Sequence, residues 1–265
     1  MRLSIVIAVL DSHEIVHRQL LYFASLGLPK TVEFILVDDG STPPIADPWR
    51  SAEGQEHNDE PDRLHGEDDI GGAVSSAPFN FRLLHTQDFR RWTQGLARMK
   101  GIAEAQGEYI LCTDIDHIIS KEAIDAALET TCDKMVFPRW FGLLNQNGEL
   151  MRDLPSLIDW GLLPAAIRHP NLSDGVHGNT WLMRKSVFEE LGGYSLKRCN
   201  SETHLQGEDR DFNHRWGKAQ RAGRFKPQVA GPPIYFFPMG RYHVTGDENP
   251  HGLFHTMKKE KWGQS

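Results

Sequence analysis

Cysteine is scarce in this chain, and long apolar runs and clusters of positive charge are missing. Cys112, Cys132 and Cys199 are the only cysteines in 265 residues, an odd number with no Cys-x-x-Cys spacing. That argues against a disulfide framework or a cysteine-built zinc site and fits a reducing compartment. The apolar start, Leu3 to Leu10, is too short to span a bilayer and no small-residue cleavage site follows it. Neither a membrane helix nor a signal peptide is expected, and the sequence reads as cytoplasmic. The 29 Lys and Arg form no run that could track a phosphate backbone, so a nucleic-acid surface is not expected.

What the chain does have is apolar residues enough for a full core, 39% of the total, and a length that α/β folds routinely use as one domain. Its acidity is local. Between Asp47 and Pro78 lie nine acids against two bases, an excess that accounts for the whole formal charge of −7. Rich in Gly, Pro and Ser with little to pack, this segment reads as an exposed loop.

Leu3 to Val9 and Glu33 to Val37 are β-branched runs without polar alternation, the pattern of buried parallel strands. Ile15, Leu20, Leu21, Phe23 and Leu26 recur between them at helical spacing, and Gly27 with Pro29 closes that helix. Phe79 to Leu84 resumes strand character. A helix over about 93–105 leads through Gly107 into a strand, Tyr109 to Thr113, that ends at Asp114. Ser120 is placed to cap a helix over Lys121 to Glu129. Further on come an extended piece near Met135 to Arg139, an apolar stretch from Leu157 to Ile167 and a helix around Lys185 to Leu191. A last helix begins near Glu208 and ends before Gly223, and Ile234 to Phe237 reads as a strand.

Three acidic motifs carry chemistry. Val37-Asp38-Asp39-Gly40-Ser41-Thr42 sits at the end of a buried strand, where an open parallel sheet binds its ligands and where carboxylates can accept hydrogen bonds from a base or ribose. The same residues also spell a turn. Asp114-Ile115-Asp116 ends another apolar strand, and i, i+2 side chains point the same way, so the two carboxylates could share a divalent cation. As an isolated pair they would read as a strand end or helix cap. Gly207-Glu208-Asp209 opens a helix that carries Phe212 and Trp216. A carboxylate there could take a proton from an acceptor hydroxyl, although acids in a first helical turn are also what the macrodipole favours.

In this order the motifs resemble the family 2 glycosyltransferases of the GT-A fold. The likeness runs through Leu3 to Val9, Val37 to Thr42, Gly95 to Ile102, and Gly107-Glu108-Tyr109-Ile110 to Asp116. The second half resembles the galactosyl- and N-acetylgalactosaminyl-transferase variety through Gly178 to Lys185, Gly192-Gly193-Tyr194 and Gly207-Glu208-Asp209. The resemblance implies an α/β GT-A fold with a Rossmann-like, mostly parallel sheet in one domain over 1–265. Residues 1–117 would form the nucleotide-sugar half and 118–265 the acceptor half. It implies that Ala8 and Asp11 border the nucleotide, that Asp38 or Asp39 binds the base, and that Arg98 supports the nucleotide pocket. Asp114 and Asp116 would hold Mn²⁺ or Mg²⁺ and the diphosphate, with a late His as a further ligand. That His is assigned to His243, with His251 and His255 as competitors. Asp209 would be the base and Glu208 would contact the acceptor. The expected partners are a nucleoside diphosphate sugar, UDP favoured, and a hydroxyl acceptor.

The chain departs from the family pattern where Ala8-Val9-Leu10-Asp11 lacks the usual Pro and Asn, and where Met99 replaces the usual Asn. The acidic loop stands in for a helix. Trp140, Trp160 and Trp181 could stack on sugars or simply fill the core, and Trp181, just after Gly178-Asn179, is the preferred sugar contact. Two rivals remain: a sugar nucleotidyltransferase, whose Gly-rich, Arg-containing first loop is absent from Leu10-Asp11-Ser12-His13, and a non-catalytic nucleotide-sugar-binding module.

Overall fold

The computed structural model describes residues 1–49, 77–88, 90, 93–159, 176–199 and 207–236. Most of the acidic segment, Trp160, His243, His251 and His255 lie outside these residues. Along the chain the strands are β1 (Leu3–Val9), β2 (Val32–Asp38), β3 (Asn80–His85), β4 (Tyr109–Asp114), β5 (His117–Ile118), β6 (Lys134–Val136), β7 (Arg139–Phe141), β8 (Leu143–Leu144), β9 (Leu150–Met151), β10 (Trp181–Arg184), β11 (Val229–Ala230) and β12 (Ile234–Phe236). The helices are α1 (His13–Ser25), α2 (Gln94–Glu104), α3 (Lys121–Glu129), α4 (Leu154–Asp159), α5 (Lys185–Glu190), α6 (Leu196–Cys199) and α7 (Glu208–Arg221).

The main sheet has the order β11-β6-β10-β4-β1-β2-β3. Strands β3, β2, β1 and β4 run parallel, and β10 runs antiparallel between β4 and β6. This is the α/β architecture with a mostly parallel central sheet. β1, β2 and β4 are buried at every position, because the sheet is covered on both faces. Alternate residues feed two cores: Leu3, Ile5 and Ile7 join one, and Val6 and Ala8 the other. In the first core Phe23 packs on Phe34, and Trp49 on Phe79 and Phe81. The second gathers Trp181, Phe188, Tyr194 and Phe212.

α2 lies so close to the sheet that a Cβ on Gly101 would come 2.6 Å from Val6 Cγ1 and 2.9 Å from Val37 Cγ2. Only glycine lets the helix seat there. α3 occupies the expected residues, and Ser120 Oγ caps it by accepting the Ala123 N–H at 3.1 Å. Of the apolar stretch read from Leu157 onward, the first residues belong to α4 and the rest lies outside the described residues. No helix among the described residues is long and apolar enough to cross a membrane.

Candidate active site at the carboxyl edge of the sheet

The parallel register places the ends of four strands side by side. Ala8 pairs with Val37 and Asp114, Val9 pairs with Asp38, and Asp38 pairs with His85. Every chain reversal after these strands occurs on one edge, which is where such sheets bind ligands. Ala8 is buried on the floor of this edge. Asp11 takes a left-handed backbone (φ 49°). Its Oδ1 accepts the Thr42 N–H at 2.7 Å, and its own N–H donates to Ser41 Oγ at 2.9 Å. The loops after β1 and β2 are thereby tied together.

Asp38 and Asp39, expected to receive the base, are both buried, Asp38 bonded within its own loop and Asp39 to residues flanking α2 and β3. Asp38 accepts the N–H groups of Ser41 (2.9 Å) and Ile45 (3.0 Å), and His85 Nδ1 lies 3.2 Å away. Asp39 accepts the hydroxyls of Thr86 and Thr93, each at 2.8 Å. These carboxylates shape the walls of the edge, because buried backbone N–H groups and hydroxyls need acceptors.

Asp114 ends β4 and is held from below. Arg98, wholly buried on α2, donates from Nη2 to Asp114 Oδ1, and Gln94 Nε2 reaches the same oxygen at 3.3 Å. Burial alone would lower the Arg98 pKa, but Asp114, with Glu208 among the neighbouring groups, leaves it raised, so the guanidinium stays charged. Glu208 Oε1 stands 4.0 Å from Arg98 Nη1. Arg98 thus supports the strand-end edge through Asp114. Glu208 is 2% exposed.

Asp114 and Asp209 are brought together by the strip His177-Gly178-Asn179. On one side, Asp114 Oδ2 lies 3.5 Å from His177 Nδ1 and 3.4 Å from Asn179 Nδ2. On the other, a Cβ on Gly178 would lie 2.9 Å from Asp209 Oδ2. The half-buried Asp209 carboxylate therefore rests against bare backbone, a close approach that glycine alone permits. Asn213, one turn along α7, donates Nδ2 to both Gly178 O (3.0 Å) and Asp209 O (2.9 Å), locking helix to strip. Lys134 Nζ in turn donates to Asn213 Oδ1 at 2.7 Å, with the Trp216 ring 5.3 Å away.

Burial pushes the Lys134 ammonium down to about 8 from its ordinary 10.5. Between those values the unfolded chain keeps a proton that the native chain has lost, so this group makes stability rise with pH. The melting temperature of the wild type, relative to that of Lys134→Met, is therefore expected to climb from pH 8 to pH 10. Across the whole window the gain is on the order of 3 kcal/mol. A pH-independent difference between the two proteins would contradict this.

β4 stops at Asp114 and residues 115–116 form a turn into β5, so strand alternation does not set the direction of Asp116. Asp116 Oδ1 lies 3.7 Å from His117 Nδ1, and the Asp114 and Asp116 carboxylates both act on His117 and Arg139. Among the described residues, Asp114, His117 and His177 form a group that could hold a metal, one donor atom of each lying within 4.8 Å of the others. Burial lowers the His117 pKa, outweighing the opposing pull of Asp116 and Asp114. Its backbone is pinned by Gln19 Nε2, which donates to Ile115 O at 3.2 Å and His117 O at 2.9 Å.

Trp181 is likewise corrected. It is 1% exposed, in a strand with neighbours on both sides, and its indole stacks on Phe188 with centroids 5.5 Å apart, so no ring face is open to a sugar. His243 falls outside the described residues. Lys134, Asn213, His117, His177 and Gln19 were not legible as site residues. The available signals were a polar Gln19 and Asn213 within apolar helix faces and a His directly after the Asp-x-Asp.

The model of Glycosyl transferase family 2 matches residues 4–192, more than half of the chain. No curated protein matches the chain by sequence. Among solved structures, it is similar to S. aureus TarS 1-349 in complex with UDP-GlcNAc (18% identity, TM-score 0.53), over 93% of this chain and 61% of that one. TarS 1-349 without that ligand matches at 18% identity and TM-score 0.51, over 89% of this chain and 60% of that one. Full TarS from S. aureus matches at 17% and 0.51, over 90% of this chain and 37% of that one. The chain thus spans about 60% of the TarS 1-349 length. At such identities the likeness is one of fold, whereas the family match rests on the sequence itself: the chain belongs to glycosyl transferase family 2.

Proposed function

We propose that the chain is an inverting, metal-dependent glycosyltransferase that takes a sugar from a nucleoside diphosphate, UDP by preference, and delivers it to an acceptor hydroxyl. The observation that carries this reading is the strip His177-Gly178-Asn179, which touches Asp114 on one side and Asp209 on the other. A carboxylate at the end of a parallel strand and another in the first turn of a helix thereby border one place. Support for UDP comes from the fold shared with TarS, which binds UDP-GlcNAc.

In this reading residues 1–117 hold the donor, with Ala8, Asp11 and the Asp38-Asp39 loop bordering the nucleotide, and 118–265 hold the acceptor. A divalent cation, Mn²⁺ or Mg²⁺, fits beside Asp114: next to it, His117 Nε2 and Asp116 Oδ1 are buried polar atoms with no hydrogen-bond partner among the described residues. Bound there, the ion would supply positive charge for the diphosphate. Arg98 and Gln94 hold Asp114 for that task. Asp209, braced by Gly178 and Asn213, accepts the proton of the acceptor hydroxyl as that oxygen attacks the anomeric carbon from the face opposite the diphosphate. No covalent enzyme intermediate is required.

A thermal-shift panel of nucleoside diphosphates with and without Mn²⁺ tests the donor assignment. UDP with Mn²⁺ should raise the melting temperature most. Ligand at a hundredfold excess over its Kd adds about 2.7 kcal/mol, which corresponds to several degrees in a chain of this size. A matching donor-hydrolysis assay should respond to EDTA. A panel in which no nucleotide shifts the transition would remove the reading.

A further inference from the structure

We infer that the cation site is built on imidazoles: Asp114, His117 and His177 form the ligand set, giving a site that prefers borderline transition metals to Mg²⁺. The inference rests on the proposed transferase reading only in placing a cation beside Asp114. It differs in assigning the remaining ligands to two histidines rather than to Asp116.

Three independent features of the structure favour it. One donor atom each from Asp114, His117 and His177 already lies within 4.8 Å of the others, a spacing that one ion can bridge, whereas Asp116 is not in that group. His117 is almost fully buried, and its Nε2 has no hydrogen-bond partner among the described residues. A buried ring nitrogen without a partner costs free energy unless something else takes its lone pair. The other ring nitrogen is provided for: His117 Nδ1 lies 3.0 Å from Thr180 Oγ1, and Thr180 Oγ1 lies 3.2 Å from Thr113 Oγ1. Thr180 can accept the Nδ1 proton while passing its own to Thr113, which leaves the Nε2 lone pair for an ion. A ring held through its far nitrogen in this way is the usual mark of a metal-binding histidine. The ring is fixed further by the His177 ring, 5.0 Å away between centroids, and by the Gln19 bonds to the backbone of the turn.

Ligand chemistry then sets selectivity. Oxygen-only sites suit Mg²⁺, which gives up its water reluctantly, while imidazole nitrogens favour transition metals, with affinity rising from Mn²⁺ to Co²⁺. The test is cation binding to the full chain without any sugar nucleotide, by calorimetry with Mn²⁺ and by competition of Mg²⁺ and Co²⁺ against Mn²⁺. Co²⁺ should displace Mn²⁺ readily, and Mg²⁺ should need at least about tenfold more than Mn²⁺ for equal occupancy. His177→Ala, at a half-exposed position, should weaken Mn²⁺ about tenfold or more, as should His117→Gln. Asp116→Asn should cost less than either. Wild-type Mn²⁺ affinity in His177→Ala, together with loss of binding in Asp116→Asn, would overturn the imidazole set while leaving the transferase reading standing. Unchanged binding in Asp114→Asn would overturn the cation site itself.

Discussion

Asp209→Asn is expected to keep nucleotide and cation binding and to lose turnover by a factor of about 10² to 10⁴, the usual contribution of a positioned general base. Asparagine is nearly isosteric with aspartate, so it should fit against Gly178, where a Cβ would stand 2.9 Å from Asp209 Oδ2. It would also leave the backbone bond from Asn213 in place, because that bond ends on Asp209 O. What the amide cannot do is accept the acceptor's proton. The measurement is steady-state transfer beside a nucleotide titration of the same protein. A loss confined to kcat is the signature of an interaction made in the transition state, and a rise in KM alone would point to substrate binding instead. Near-normal turnover in the variant would exclude Asp209 as the base.

The largest effect on stability should come from Arg98→Met. Arg98 is wholly buried, donates to Asp114 and stands 4.0 Å from Glu208, a residue that is itself 2% exposed. Removing the guanidinium leaves two carboxylates near each other with their shared cation gone. Breaking a buried ion pair from one side costs about 3 to 5 kcal/mol, because the remaining charge loses its compensation. For a chain of this length that corresponds to about 10 °C or more in the melting temperature. Urea unfolding of wild type and variant at pH 7 measures the difference. Glu208→Gln added to Arg98→Met should recover part of the loss, since the two positions share one network. A loss below about 1 kcal/mol would mean that the buried charge is compensated by some other means.

The strands and helices that position the site could be read from local pattern. β1 and β2 were visible as apolar runs without alternation because both faces of the sheet are covered. α3 was visible to the residue because Ser120 caps it by a bond to Ala123, a contact three residues away. The partners of the acidic motifs were hidden for the opposite reason. Asn213 meets Gly178 across 35 residues and Lys134 meets Asn213 across 79, so no sequence window contains either pair. For Asp116 the i, i+2 rule carries no further than the strand, and β4 ends at Asp114. Trp181 was preferred for its place just after Gly178-Asn179 in the resemblance, which carries no burial information, whereas β10 is hydrogen-bonded on both sides. Arg98 did carry a signal: it shares the buried stripe of α2 with Gly95, Gly101 and Ile102, where a charge survives only with a partner.

β10 is gripped between β4 and β6, and the backbone that enters it is anchored by Thr180. The three residues just upstream therefore form a fixed ruler between Asp114 and Asp209, which in the proposed reading are the donor end and the acceptor end. Lengthening or shortening that piece by one residue would displace both ends together. A change in preferred sugar is thus more readily reached by exchanging side chains around the ruler than by resizing it.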